Sequence, residues 1–79
     1  MAKKDEEIKY EIQEHIVDLT EPNEKGWKKE CNLISWNGGE SKYDIRSWNE
    51  DHTKMGKGIA LSYEEFAILC QEAYDRGIV

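Results

Sequence analysis

The chain has 79 residues, of which 35% are charged and 38% hydrophobic, with a formal net charge of −6. That is one domain with a thin core, since a chain this short buries only roughly 60% of its unfolded surface. No apolar run approaches the ~20 residues of a membrane span, and no apolar segment follows the charged start to form a secretory signal.

Cys31 and Cys70 have no metal-ligand spacing, and a single bridge would be a poor framework. We therefore expect a reduced, cytoplasmic protein with two free thiols, no metal and no cofactor. Without a covalent staple, oligomerisation is the remaining route to stability. The charge is unevenly spread. Residues 1–24 hold three Lys against eight acids, whereas residues 25–57 hold seven Lys or Arg against five acids and contain all three Trp. A basic, aromatic middle segment can meet a polyanion despite the acidic total, because screening limits charge effects to about 10 Å.

Residues 1–7 are charged and expected to be disordered, with the folded domain spanning 8–79. Ile8, Tyr10 and Ile12 alternate with polar neighbours as a first strand. Ile16 keeps that parity but Val17 and Leu19 break it, which predicts a β-bulge near Glu14-His15. His15 reads as a surface strand residue. Glu21 to Gly26 is a turn, punctuated by Pro22 and Gly26, and a second strand runs from Trp27 to Trp36.

Asn37-Gly38-Gly39 is the next turn. With Gly38-Gly39 as its tip, Trp36 faces Ser41, Ile34 faces Tyr43, Cys31 faces Arg46 and Lys29 faces Trp48. That register puts Trp36, Ile34, Tyr43 and Ile45 on the core face. It puts Trp27, Lys29, Leu33, Ser35, Lys42, Arg46 and Trp48 on the other. A slip of one residue would exchange the second strand's two sets. In the third strand, Lys42 to Trp48, the alternation itself is plain: Tyr43 and Ile45 on one face, Lys42, Asp44, Arg46 and Trp48 on the other.

His52, in the polar stretch Asn49 to Lys54, is expected in solvent. A fourth strand covers Met55 to Leu61. Its Gly56-Lys57-Gly58 marks a bulge or the close approach of another backbone, or leaves Lys57 uncrowded for a phosphate. It does not match a P-loop. Ser62 and Glu65 form a capping box, with Glu64 and Glu65 in the helix's positive first turn. Phe66, Leu69, Cys70 and Ala73 recur at helical spacing, flanked by Tyr63, Ala67 and Tyr74. Gly77 is a candidate helix stop. Cys70 reads as a small core residue.

The expected architecture is α+β: a four-stranded antiparallel sheet, then one C-terminal helix. Cations and aromatics on one sheet face suit single-stranded nucleic acid, phosphates needing Lys and Arg and unstacked bases needing flat rings. The candidate nucleic-acid-binding residues are Arg46, Trp48, Lys57, Lys42, Lys29, Trp27, Lys28 and Lys25. The rival reading is a protein-interaction module acting as a transcription cofactor. No nucleophile–base pair or carboxylate dyad is legible, so an enzyme is not expected.

The run also resembles the YdbC-like bacterial branch of the positive cofactor four family of transcriptional coactivators. The resemblance is carried by Gly26-Trp27-Lys28-Lys29-Glu30, Ser35-Trp36-Asn37, Lys42 to Arg46, Trp48, Asp51-His52, Lys54 to Ile59 and Leu61-Ser62, across about residues 8–74. It implies a ββββα fold, a two-fold dimer through the helices (Phe66, Leu69, Cys70, Ala73, Tyr74), and binding of single-stranded DNA on the exposed sheet faces. RNA is left open, as are transcription, replication and repair; the implied setting is nucleoid-associated. By motif position the binding role falls on Arg46, Trp48 and Lys57. The eukaryotic members have a longer hairpin with an aromatic and extra lysines; Asn37 to Ser41 supplies neither, and Lys42 is a partial substitute.

Overall fold

The computed structural model describes residues 8–79; the expected disorder of residues 1–7 lies outside them. Four strands, β1 (Tyr10–Asp18), β2 (Lys28–Trp36), β3 (Ser41–Trp48) and β4 (Met55–Leu61), precede one helix, α1 (Tyr63–Asp75). The sheet is an antiparallel meander in the order β1-β2-β3-β4. α1 packs on β3 and β4, leaving the opposite, open face without a second layer among the described residues.

β1 begins at Tyr10, two residues later than the Ile8 alternation suggests. Its pairing with β2 shifts between Ile12 and Glu14 and again between His15 and Val17. The expected bulge is therefore two bulges bracketing Glu14-His15. Two shifts cancel in parity, so Val17, paired with Cys31, still faces away from Tyr10 and Ile12, paired with Trp36 and Ile34.

The β2–β3 turn corrects the register. Its tip is Asn37-Gly38, with φ of 52° and 74°, and Gly39 N–H donates to the Trp36 carbonyl at 2.8 Å. Two consecutive left-handed residues are what a type I′ hairpin turn needs, and Asn tolerates that region. Asn37 is held further by its own N–H to the Lys9 carbonyl and by the Lys9 N–H to its Oδ1. Beyond the turn Ser35 pairs with Ser41, Leu33 with Tyr43, Cys31 with Ile45 and Lys28 with Trp48. That is one residue away from the expected pairing. The second strand's sets exchange: Lys29, Cys31, Leu33 and Ser35 share the helix face with Tyr43 and Ile45. Ile34, Trp36, Glu30 and Asn32 share the open face with Lys42, Asp44, Arg46 and Trp48.

α1 matches its sequence signals. Ser62 and Glu65 exchange the two capping-box bonds. Gly77 at φ 76° closes a Schellman motif, with Gly77 N–H to Tyr74 O and Ile78 N–H to Ala73 O. Phe66 stacks on Tyr43, ring centroids 4.5 Å apart. Leu69, Cys70 and Tyr74 stay exposed, so Cys70 is not a core residue within one chain. Both cysteines are free, and burial pushes the Cys31 thiol up, helped by the nearby Asp44 charge.

Gly58 has a steric role. A Cβ there would collide with Arg46 Cβ and the Ile45 carbonyl oxygen, so β3 and β4 reach this separation only around a glycine. The Gly-Lys-Gly stretch is a bulge with close backbone approach: the β3–β4 register shifts between Arg46 and Trp48. Gly58→Ala should therefore destabilise the chain by about 1–3 kcal/mol. Gly38→Ala meets no atom and carries only its left-handed strain. Paired urea melts of the two variants would check this order.

Candidate nucleic-acid interface

On the open face the third-strand parity puts Trp48 and Arg46 where expected, but their surroundings differ from expectation. Trp48 is fully buried. Tyr10 lies against its ring at 5.3 Å, and His52 lies against it at 5.3 Å. The Tyr10 hydroxyl donates to the His52 carbonyl at 2.7 Å, closing this lid. Trp48 is thus a core residue, not a base-stacking surface. The sequence could not reveal this, because its cover comes from β1 and the β3–β4 loop.

Arg46 is also more committed than a free phosphate contact. Its Nε and one terminal nitrogen donate to the two oxygens of Asp44, both at 2.7 Å, and its other terminal nitrogen donates to the Gly56 carbonyl at 3.3 Å. Asp44 is wholly buried, while the Arg46 side chain is 15% exposed. A fully desolvated carboxylate is tolerable only in such a bidentate pair. Removing Arg46 would strand the Asp44 charge, so Arg46 acts first as a structural residue.

Trp36 is the aromatic that the expected register misplaced. It is half-buried on the open face. Arg46 Cζ lies 4.8 Å from its ring centroid, a cation–π arrangement, and Tyr10 is 5.8 Å away on its β1 side. Beside them Ile8, Met55 and Ala60 line an open depression of about 350 Å³.

The remaining expected residues scatter. Lys42 is exposed and on the open face by register, whereas Lys29, also exposed, falls on the helix face. Lys57 is exposed in the β4 bulge. Lys25 and Trp27 line a second depression with Lys54 and the acids Glu50 and Asp51. Lys28 is half-buried and donates to Asp18 at 2.9 Å, a pairing that raises the Lys28 pKa and lowers that of Asp18. None of the ion pairs among the described residues engages Lys25, Lys29, Lys42, Lys54 or Lys57.

Of the two histidines expected at the surface, His15 is exposed on β1 as expected, whereas His52 is drawn to Glu30, which is 1% exposed. His52 Nε2 donates to both Glu30 oxygens, at 2.9 and 3.0 Å, and Asn32 Nδ2 donates to Oε1 at 3.0 Å. Burial pushes the Glu30 carboxyl up. The hydrogen bonds from His52 and Asn32, with the charges of His52 and His15, outweigh it and hold the group below its usual value. His52 takes φ 60° to reach this position. The clue in the sequence is a glutamate at an inward position of a strand.

A four-strand meander closed by one helix, with an open face carrying aromatic and cationic groups, defines a single-layer sheet module. The family model for Transcriptional Coactivator p15 (PC4) matches residues 23–72, more than half of the chain, and the protein belongs to that family. An uncharacterized protein of Treponema pallidum (strain Nichols) is 52% identical over 44 residues, 56% of this chain and 52% of that protein. The match thus spans about half the length of that relative.

The two indoles should separate in stability. Trp48→Ala should cost about 3–5 kcal/mol, as for a large buried aromatic. Trp36→Ala, at a half-exposed site, should cost distinctly less. Chemical denaturation of both variants under one set of conditions is the check.

Proposed function

We propose that this protein binds single-stranded nucleic acid on the open sheet face, and that it acts by binding rather than by catalysis. The observation that carries the reading is the Trp36–Arg46 pair beside an apolar depression. A splayed base finds a flat ring there, and Lys42 on the same face, with Lys57 at the β4 edge, supplies cations for phosphates. Membership of a family of transcriptional coactivators supports it. A duplex keeps its bases stacked out of reach of such a platform, and the net charge of −6 gives little long-range attraction for duplex DNA. A cytoplasmic, nucleoid-associated place follows from the reading, with single-stranded DNA as the first candidate ligand and RNA as the second.

Lys42→Ala and Lys57→Ala should each weaken binding to a labelled strand and shallow the slope of log affinity against log salt by about 0.7. Trp36→Ala should weaken binding by about 1–3 kcal/mol, the value of one stacked base. A salt series with single strand and matched duplex reads all three. Equal affinity for both forms, or unchanged slopes in both lysine variants, would overturn the reading in favour of a protein partner.

The same reading includes a two-fold dimer through α1. Supporting it, Leu69 is 54% exposed and Tyr74 68% exposed, so half of the helix's apolar stripe lacks cover within one chain. The radius of gyration, 14.5 Å, also exceeds the roughly 12 Å of a compact chain of this length. Phe66 belongs to the intrachain stack on Tyr43, which makes Leu69 the cleaner probe. Leu69→Glu should yield a folded monomer by light scattering and circular dichroism. A monomeric mass for the unaltered chain at tens of micromolar would count against the dimer.

A further inference from the structure

We infer that His15, Asp18 and Glu30, with His52 alongside, form a binding site for a divalent transition-metal ion of the zinc class. The four positions have no ligand spacing in sequence. The doubly bulged pairing of β1 with β2 brings three of them together by setting His15 against Asn32 and Asp18 against Glu30, and His52 reaches Glu30 from the β3–β4 loop. One donor atom from each of His15, Asp18 and Glu30 lies within 4.8 Å of the others. Donors about 2.0–2.2 Å from a tetrahedral ion sit roughly 3.3–3.6 Å apart. His15 and Asp18 are half-exposed and can close that remaining distance by side-chain rotation.

The surroundings of His15 point to a cation. Its Nδ1 lies 2.7 Å from Asn32 Oδ1 and its Nε2 lies 3.0 Å from Asp18 Oδ1. The Asn32 oxygen is identified because its amide nitrogen donates to Glu30. Both ring nitrogens therefore face oxygen acceptors, an arrangement matched by a second proton on the ring or by a metal ion at one nitrogen. With Nδ1–H donated to Asn32, an ion bound at Nε2 would lie between the ring and the Asp18 carboxylate. A ligating histidine whose second nitrogen donates to a fixed oxygen is the usual outer-shell support of a metal site.

The other donors are equally prepared. Glu30 is held by Asn32 and His52 rather than left to rotate. Lys28 occupies only Oδ2 of Asp18, leaving Oδ1 for an ion. The cluster opens into a depression of about 400 Å³, lined also by Ile12 and Lys28, so a hydrated ion can enter. Mixed imidazole and carboxylate donors suit zinc and its neighbours better than magnesium or calcium, which favour oxygen alone. An ion here would pin the bulged half of β1 to β2 and to the β3–β4 loop. This site is independent of the nucleic-acid reading.

The test is calorimetric titration of the full chain with zinc chloride, and cobalt(II) absorption in parallel, in a Cys70→Ser background that removes the exposed thiol. The expected result is one ion per chain and a melting temperature that rises with zinc. His15→Ala and Asp18→Asn, each verified as folded by circular dichroism, should weaken binding by about tenfold or more. Absence of saturable binding at millimolar zinc, binding lost with Cys70→Ser alone, or binding undiminished in both variants would overturn the inference.

Discussion

The register of the β2–β3 hairpin is the constraint from which the rest of this molecule follows. A strand's two faces differ by a single residue of slip, and here the slip is decided by which two residues enter the left-handed region. Asn37 and Gly38 do so, and Asn37 is bonded on its outer side to Lys9, the residue before β1. The turn therefore sets two strand pairs at once. From it follow the placing of Trp36 beside Arg46, of Glu30 and Asn32 inward, and of Leu33 and Cys31 beneath the helix side.

That register produces an uncommon core. The most buried positions include Glu30, Asn32 and Asp44 as well as Ile34 and Trp48. Charges at such depth are unfavourable unless paired, and each has its partners: Arg46 for Asp44, His52 and Asn32 for Glu30. The open face is roofed by its own side chains, with Tyr10, Trp36, Arg46 and His52 lying over the buried layer. Such pairs add little net stability over an apolar core, but they leave the face polar enough to stay uncovered by a second protein layer. An apolar face of the same shape would have to be buried.

Much of this was legible in the sequence. Period-two alternation in β3, the glycines of β4 and the caps of α1 placed the elements and their order, because each is a local signal. The parity break at Val17 pointed to a bulged β1, though to one bulge where there are two. What was not legible depends on contacts between distant segments. Asn-Gly and Gly-Gly are both good turn centres, and the observed one goes with the Lys9–Asn37 bonds, made by the segment just before β1. Trp48 looks like an exposed indole until Tyr10 and His52 are laid over it. His52 looks like a solvated loop residue until the buried Glu30 is found against its ring.

The bulges have a further consequence at the borders of the sheet. β1 and β4 are its outermost strands, and each departs from regular pairing: β1 twice, β4 once beside the charged Lys57. A strand so interrupted presents a broken row of backbone donors and acceptors, a poor template for recruiting an extended segment from another molecule. The sheet is therefore closed to growth at both margins. A small, heavily charged chain with one exposed apolar helix stripe can associate through its faces without a competing route into fibrous, edge-to-edge stacking.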